Sequence, residues 1–307
     1  MSSPVSVLVV GDGSNLRPSR RLLHEAKNQG MAIHIDSVDT GFNLTDQKPG
    51  DIETEFEIVQ EDSHGCLLQE IAEQGGKANG QCEDCRSTIK LIKGCLSDPG
   101  VQECLTKEYD LCFMLETVQF LPANGTVQQE IVKRLRTGGR VVISAAETID
   151  AQKYLLSALT LLITSNPELK KGMWPGAARA INKAPGVGKC AIEHFDGMVL
   201  AQKFTFRTSE ILSEDRTGAQ IMQRGTEWLH PQQKLILAQH REDLEVLLDK
   251  FGIQDLRYEV GLWVVVKSHL TETSPEFQID TIQDADGAMG QLDNSVLERC
   301  CQYLRTK

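Results

Sequence analysis

Three kinds of residue in this chain have types and spacing suited to chemistry: a glycine-framed loop, a series of acidic residues at strand ends, and scattered histidines and cysteines. The loop, Gly11-Asp12-Gly13-Ser14-Asn15, follows the β-branched run VSVLVV. Glycines let the backbone pass close to a ligand, and the free N–H groups opening the next helix favour anionic groups, so strand, glycine loop and helix together suit nucleotides and related cofactors. GDGSN is neither GxGxxG nor GxxxxGK[ST], and a tight turn accounts for the same residues equally well. Asp36 and Asp39 lie about 20 residues beyond the loop, the separation at which a carboxylate accepts hydrogen bonds from ribose hydroxyls. Either residue fits that role. Among the nine cysteines, CEDC at Cys82 to Cys85 invites a zinc reading, but no second CxxC and no nearby histidine completes a ligand set, so no metal is expected.

The elements that must position these residues are those of an α/β chain. Val5 to Val10 has the composition of a strand buried on both faces, Arg20 to Gln29 reads as a helix ending at Gly30, and MAIHIDSVD supplies the second strand of a βαβ unit. FEIVQED is expected to be the third strand, ending at Glu61-Asp62, with helices through the cysteine-bearing stretch 65–105. YDLCFMLETVQFL gives a fourth strand and RLRTGGRVVIS a fifth, entered through Gly138-Gly139. From Ile149 the alternation breaks. The apolar helix YLLSALTLLI, a hairpin signal at Asp196-Gly197 and a strand at KLILAQ predict an insertion with its own antiparallel pairing. HREDLEVLLDKFGI is an amphipathic helix, and LRYEV and LWVVVK, separated by Gly261, predict a closing antiparallel hairpin. Residues 270–290 read as an acidic linker, and NSVLERCCQYLR as a helix whose Leu297, Cys300, Cys301 and Leu304 dock on the body or on a second subunit.

Composition narrows the function classes. A net charge of −11, from 43 acidic and 32 basic residues, argues against a nucleic-acid backbone as main partner and leaves a small molecule as the expected one. No signal-peptide pattern and no apolar run of membrane-spanning length is present, and the odd, irregularly spaced cysteines suit reduced thiols, so a cytoplasmic protein without membrane contact is expected.

Four stretches in order resemble landmarks of class I S-adenosylmethionine-dependent methyltransferases of the small-molecule type. VLVVGDGSN is similar to the first motif, IHIDSVD to the ribose-binding strand, YDLCFMLETVQFL to the fourth motif, and IVKRLRTGGRVVIS to the helix-glycine-strand segment; HREDLEVLLDKFGIQDLRYEVGLWVVVKS resembles the family's last helix and terminal strands. The resemblance covers roughly 5–144 and 238–268. It implies a doubly wound, mostly parallel seven-stranded sheet with a reversed terminal strand, plus an inserted helical and antiparallel β cap. The implied organisation is a cofactor-binding half over 1–148, a substrate cap over 149–239, a closing helix and hairpin over 240–269, and the tail over 270–307. S-adenosylmethionine is the implied cofactor, held by Gly11, Asp12, Gly13, Ser14 and Asn15, by Asp36 or Asp39 at the ribose, by Asp62 at the adenine, and with Glu116 and Thr117 lining the transfer site. Methyl transfer to a small O- or N-nucleophile follows as the implied activity in small-molecule metabolism. Trp174 and Trp228 are candidates for holding the acceptor and His194 and His230 for proton transfer, with a homo-oligomer through the cap or the C-terminal helix an open option. The family's acidic residue before the first glycine is Val9 here, and its third glycine is Asn15. These departures motivate the alternative of a catalytically silent, methyltransferase-like binding or scaffold protein. A nicotinamide-dependent oxidoreductase is disfavoured, because GDGSN lacks the third glycine that such a helix contact needs.

Overall fold

The computed structural model describes residues 4–13, 16–40, 56–63, 66–73, 87–105, 108–118, 121–122, 124–166, 192, 194–213, 217–226, 231–268, 278–284 and 299–304. Its strands are β1 (Val5–Val10), β2 (Ile33–Asp39), β3 (Phe56–Ser63), β4 (Cys66–Glu73), β5 (Thr88–Lys93), β6 (Tyr109–Leu115), β7 (Leu135–Ile149), β8 (Met198–Ile211), β9 (Asp255–Lys267) and β10 (Gln278–Asp284). The helices are α1 (Arg17–Asn28), α2 (Pro99–Cys104), α3 (Thr126–Arg134), α4 (Asp150–Ser165), α5 (Thr217–Thr226), α6 (Pro231–Ala238) and α7 (Arg241–Asp249). All ten strands form one sheet in the order β10-β8-β9-β7-β6-β1-β2-β5-β4-β3.

Its centre is the expected seven-stranded sheet. β5, β2, β1, β6 and β7 pair in parallel, and β9 runs antiparallel between β7 and β8. Being antiparallel to the same neighbour, β8 points the same way as β7, so six strands share a direction and one is reversed. The fully buried run Val5–Val10 explains the central position of β1: Val7 and Val9 face one side, Leu8 and Val10 the other, as the two-residue strand period requires. On the first face Val7, Val9, Phe113 and Val142 pack under Leu22 and Leu23 of α1, Leu155 and Leu159 of α4, Ile221 of α5 and Leu244 and Leu248 of α7. On the second, Leu8, Cys112, Met114, Val141, Ile143 and Trp263 pack under Val101 of α2 and Val127 and Ile131 of α3.

Several sequence expectations are corrected. FEIVQED is a strand, but it lies at the sheet edge as half of the antiparallel β3–β4 hairpin, and the third parallel strand is Thr88–Lys93. The stretch 65–105 therefore contributes two strands and the short α2 rather than helices alone. LRYEVGLWVVVK is one continuous strand, β9, because Gly261 leaves the space that the ring of its own neighbour Trp263 occupies: a Cβ there would lie 2.2 Å from that ring. Asp196-Gly197 turns the chain into β8 instead of closing a hairpin, with the Met198 N–H bonded to the Phe195 carbonyl. KLILAQ falls in helix α6, and β10 pairs with β8 within the stretch read as linker. Across 149–239, the antiparallel pairing is made by β8 against β9 inside the main sheet, while residues 167–191 lie outside the described ones. The helical residues 299–304 dock on the body: Cys300, Cys301, Tyr303 and Leu304 are buried in the first core, the Tyr303 hydroxyl bonds Gln202 Oε1 at 2.5 Å, and Arg299 lies 4.2 Å above the Phe204 ring. Among the described residues no helix is long and apolar enough to cross a membrane.

Candidate functional site

β1 leads leftward to β2 and β5, whereas β6 and β7 lie on its other side, so the winding reverses between β1 and β6. Open α/β sheets collect ligands in the crevice outside the carboxyl ends of strands at such a point. A cleft of about 320 Å3 opens there, lined by Val10, Gly11 and Gly13 after β1, Val38, Asp39 and Thr40 at β2, Gly94, Cys95 and Leu96 after β5, Glu116 and Thr117 after β6, and Leu121, Pro122 and Val127 at the start of α3.

The glycine loop is held from several directions. Gly11 and Gly13 have φ of 77° and 74°, the left-handed region in which an L side chain is strained, and Leu16, with φ 52°, turns the chain into α1. At Gly11 a Cβ would come within 2.3 Å of the Thr117 side chain. Thr117 can approach so closely because its hydroxyl bridges two strands, bonded to the carbonyls of Val10 at 3.0 Å and Leu115 at 2.9 Å. The Gly11 N–H donates to the Val38 carbonyl at 2.8 Å, and the Gly13 N–H to Asp39 Oδ2 at 2.8 Å. Asp39 thus fastens the loop to the end of β2 while lining the cleft.

Asp12 points away from it. Its carboxylate accepts the Ser19 N–H at 3.1 Å, the Ser37 hydroxyl at 2.7 Å and the Ser19 hydroxyl, and so serves as the cap of α1, whose own N-cap position, Leu16, has no side chain able to do so. Burial pushes its carboxyl up to about 6, opposed by the bonds from Ser19 and Ser37 and assisted by the nearby charge of Asp39. Asp36, in the middle of β2, is 4% exposed and accepts the Tyr109 hydroxyl at 2.5 Å; it belongs to the interior of the sheet rather than to the cleft. The buried Tyr109 phenol is driven upward by desolvation first and by that carboxylate second.

Glu116 closes β6 in a left-handed conformation, φ 54°, that a non-glycine residue adopts only where its surroundings impose it. Here the neighbour is Ser144 on β7. The Glu116 N–H reaches the Ser144 carbonyl at 3.0 Å and its Oγ at 3.1 Å, and the Ser144 hydroxyl lies 3.1 Å from Glu116 Oε1. Backbone and carboxylate are therefore both oriented by one residue.

Of the sequence candidates, the cleft brings together Gly11, Gly13, Asp39, Glu116 and Thr117. Asp12 and Asp36 sit beside it as supports. Asp62 lies on β3, its backbone paired with Leu67 and two strands outside β5, roughly 10 Å from that strand at ordinary strand spacing. Position 62 was expected at the cleft because FEIVQED was read as the third strand; Gly94, Cys95 and Leu96 occupy the place instead. His194 packs on Gly125, immediately before α3, where a Cβ would lie 3.0 Å from its ring. Ser14, Asn15, Trp174, Trp228 and His230 lie outside the described residues, as do Cys82 and Cys85. Among the described residues, Cys95, Cys104, Cys112, Cys300 and Cys301 are not joined in a disulfide. Sequence reasoning missed Thr40, Gly94 to Leu96, Leu121, Pro122 and Val127; the run TIKLIKG, β-branched and closed by glycine, was a signal for Gly94 to Leu96.

No family model and no curated protein matches the sequence. Solved structures with a related chain course include a candidate methyltransferase of Bacillus halodurans (12% identity, 87% of this chain and 94% of that one, TM-score 0.43). An S-adenosylmethionine-dependent methyltransferase of Methanosarcina mazei is similar at 10% identity, over 87% and 94% of the two chains, with a TM-score of 0.36. The arsenic(III) S-adenosylmethionine methyltransferase of Chlamydomonas reinhardtii is similar at 13% identity, over 88% and 68%, with a TM-score of 0.34. What the chain shows by itself is the sheet order and the reversed strand that the sequence resemblance implied.

Proposed function

We propose that this protein binds S-adenosylmethionine in the cleft at the carboxyl ends of β1, β2, β5 and β6 and transfers its methyl group to a small-molecule O- or N-nucleophile. The observation that carries the reading is Asp39, which lines the cleft at the end of β2 while tied to the glycine loop. A carboxylate in that position accepts the hydroxyls of a ribose, and its bond from the Gly13 N–H fixes its orientation beforehand. Val38 and Leu96 offer apolar surface beside it for a base, and left-handed Gly11 and Gly13 let the ligand approach the backbone. When bound, the sulfonium supplies an activated methyl group and a good leaving group. The chain's own contribution is then to bind, to align the nucleophile and to exclude water. Residues 149–239 are proposed as the part that governs acceptor choice, with Trp174 and Trp228 against the acceptor and His194 and His230 as proton carriers.

Calorimetry with S-adenosylmethionine and with S-adenosylhomocysteine tests the first half of this reading, and a mass-shift screen of metabolite extracts the second. Saturable binding that Gly13→Val abolishes is expected. A folded wild-type protein that gives no heat and no thermal shift with either molecule overturns the assignment.

Two observations favour a second reading, a silent relative that binds without catalysing. Val9, at the position of the family's usual acid, is 1% exposed within β1, and Asp12 is committed to Ser19 and Ser37. Neither is available to a methionine amino group. Binding of S-adenosylhomocysteine without any methylated product would select this reading.

A further inference from the structure

Resting on the proposed function, we propose that the acceptor is a small amine, recognised in its ammonium form by Glu116. Among the described residues lining the cleft, Asp39 and Glu116 are the ones that carry charge. They stand on β2 and β6 with β1 between them, two strand spacings or roughly 10 Å apart, which is too far for one small cation to meet both. With Asp39 assigned to a ribose, Glu116 is the anionic group left for a different part of the bound assembly. Its carboxylate is oriented by the Ser144 hydroxyl and its backbone is held left-handed by the Ser144 carbonyl, so it is presented in one direction rather than sampling many.

An ionised carboxylate only accepts hydrogen bonds, and its bonds from ammonium groups are the charge-assisted kind. Because an ammonium nitrogen has no lone pair, one of its protons passes to the Glu116 carboxylate before transfer; the free amine then forms its bond to the methyl carbon as the carbon–sulfur bond breaks, S-adenosylhomocysteine is the leaving group, and Glu116 returns the proton to solvent. The charge of Glu116 opposes carboxylate and phosphate acceptors at that position. Leu121, Pro122 and Val127, which follow Glu116 in the chain and line the same cleft, supply apolar surface for the carbon body of such an amine.

Ligand-observed NMR and thermal-shift titrations at neutral pH test this with ethanolamine and diethylamine as cationic probes and acetate and inorganic phosphate as anionic ones. Each probe is titrated into the full chain with and without saturating S-adenosylhomocysteine. Both amines are expected to bind saturably and the anions to bind at least tenfold more weakly. Glu116→Gln should weaken the amines at least tenfold, and by more than it weakens S-adenosylhomocysteine. Glu116→Gly, which removes the carboxylate while suiting the left-handed backbone, should do the same in a protein at least as stable, which covers the case in which the glutamine variant folds poorly. Amine binding unchanged in both variants, absent from the S-adenosylhomocysteine-loaded protein, or matched by acetate and phosphate overturns the inference. Absence of S-adenosylhomocysteine binding overturns the proposed function itself, and is read from that titration alone.

Discussion

Replacing Asp12 by Asn removes a buried carboxyl whose titration works against the fold near neutral pH. Asp12 is 3% exposed, and burial raises its carboxyl from an ordinary 3.8 to about 6 despite bonds from Ser19 and Ser37. Below the unfolded value both states are protonated and the group is neutral in its effect. Between that value and about 6 the unfolded chain ionises first, and above 6 the folded protein carries the full cost of a buried charge. A shift of about two units corresponds to about 3 kcal/mol, so the stability associated with protonated Asp12 is present below pH 4 and lost as pH rises through 6. Asparagine keeps the oxygen that accepts the Ser19 N–H, and the Ser19 and Ser37 hydroxyls can rotate to accept from its amide, so the cap of α1 survives while the titration disappears. Urea unfolding of wild type and Asp12→Asn at several values between pH 4 and 7 gives the difference directly, with other carboxylates cancelling. The variant should gain on wild type by about 2 to 3 kcal/mol across that window. A difference that stays flat, or moves toward wild type as pH rises, refutes the buried-cap account.

Gly11→Ala should cost about 2 to 4 kcal/mol in chemical denaturation, from left-handed strain plus the overlap with Thr117, and weaken cofactor binding with it. Asp39→Ala should weaken S-adenosylhomocysteine binding about tenfold or more in calorimetry, as loss of a charge-assisted hydrogen bond implies. Asp36→Ala should instead lower stability by about 1 to 3 kcal/mol by stranding the Tyr109 hydroxyl, and should be largely non-additive with Tyr109→Phe. Trp174→Ala should damage acceptor turnover far more than cofactor affinity; unchanged kinetics with lost stability would assign that side chain to packing.

The central strands were legible because burial on both faces leaves a local mark: VSVLVV, YDLCFML and RVVIS contain the continuous apolar runs VLVV, LCFML and VVI. So was α7, whose Leu244 and Leu248 repeat at helical spacing. Neighbour relations were not legible. FEIVQED and TIKLIK both read as strands, but which of them lies beside β2 depends on how the intervening chain folds back, and local pattern contains no term for that. The misplacement of Asp62 follows from it. Gly261 is ambiguous for a different reason: in a strand, glycine marks either a turn or room for a neighbouring group, and only the Trp263 ring decides between them. KLILAQ is a short apolar run whose period suits helix and strand alike. Within the site, Gly11, Gly13 and Asp39 could be found because turn chemistry and strand ends are local, whereas the inward direction of Asp12 depends on Ser19 and Ser37 from two other elements.

The placement of β9 has a consequence for how the protein is made. Residues 255–267 lie between β7 and β8, both of which leave the ribosome earlier, so β8 has no place beside β7 and must wait until β9 has been translated. The described residues lining the cleft all fall between positions 10 and 127, on strands that pair with one another without β9. A nascent chain that has emerged through β7 already holds every strand of the cleft, whereas its other half remains a sheet edge and an unpaired strand. That interval, rather than any step at the cleft, is when this polypeptide most needs protection from pairing with its neighbours.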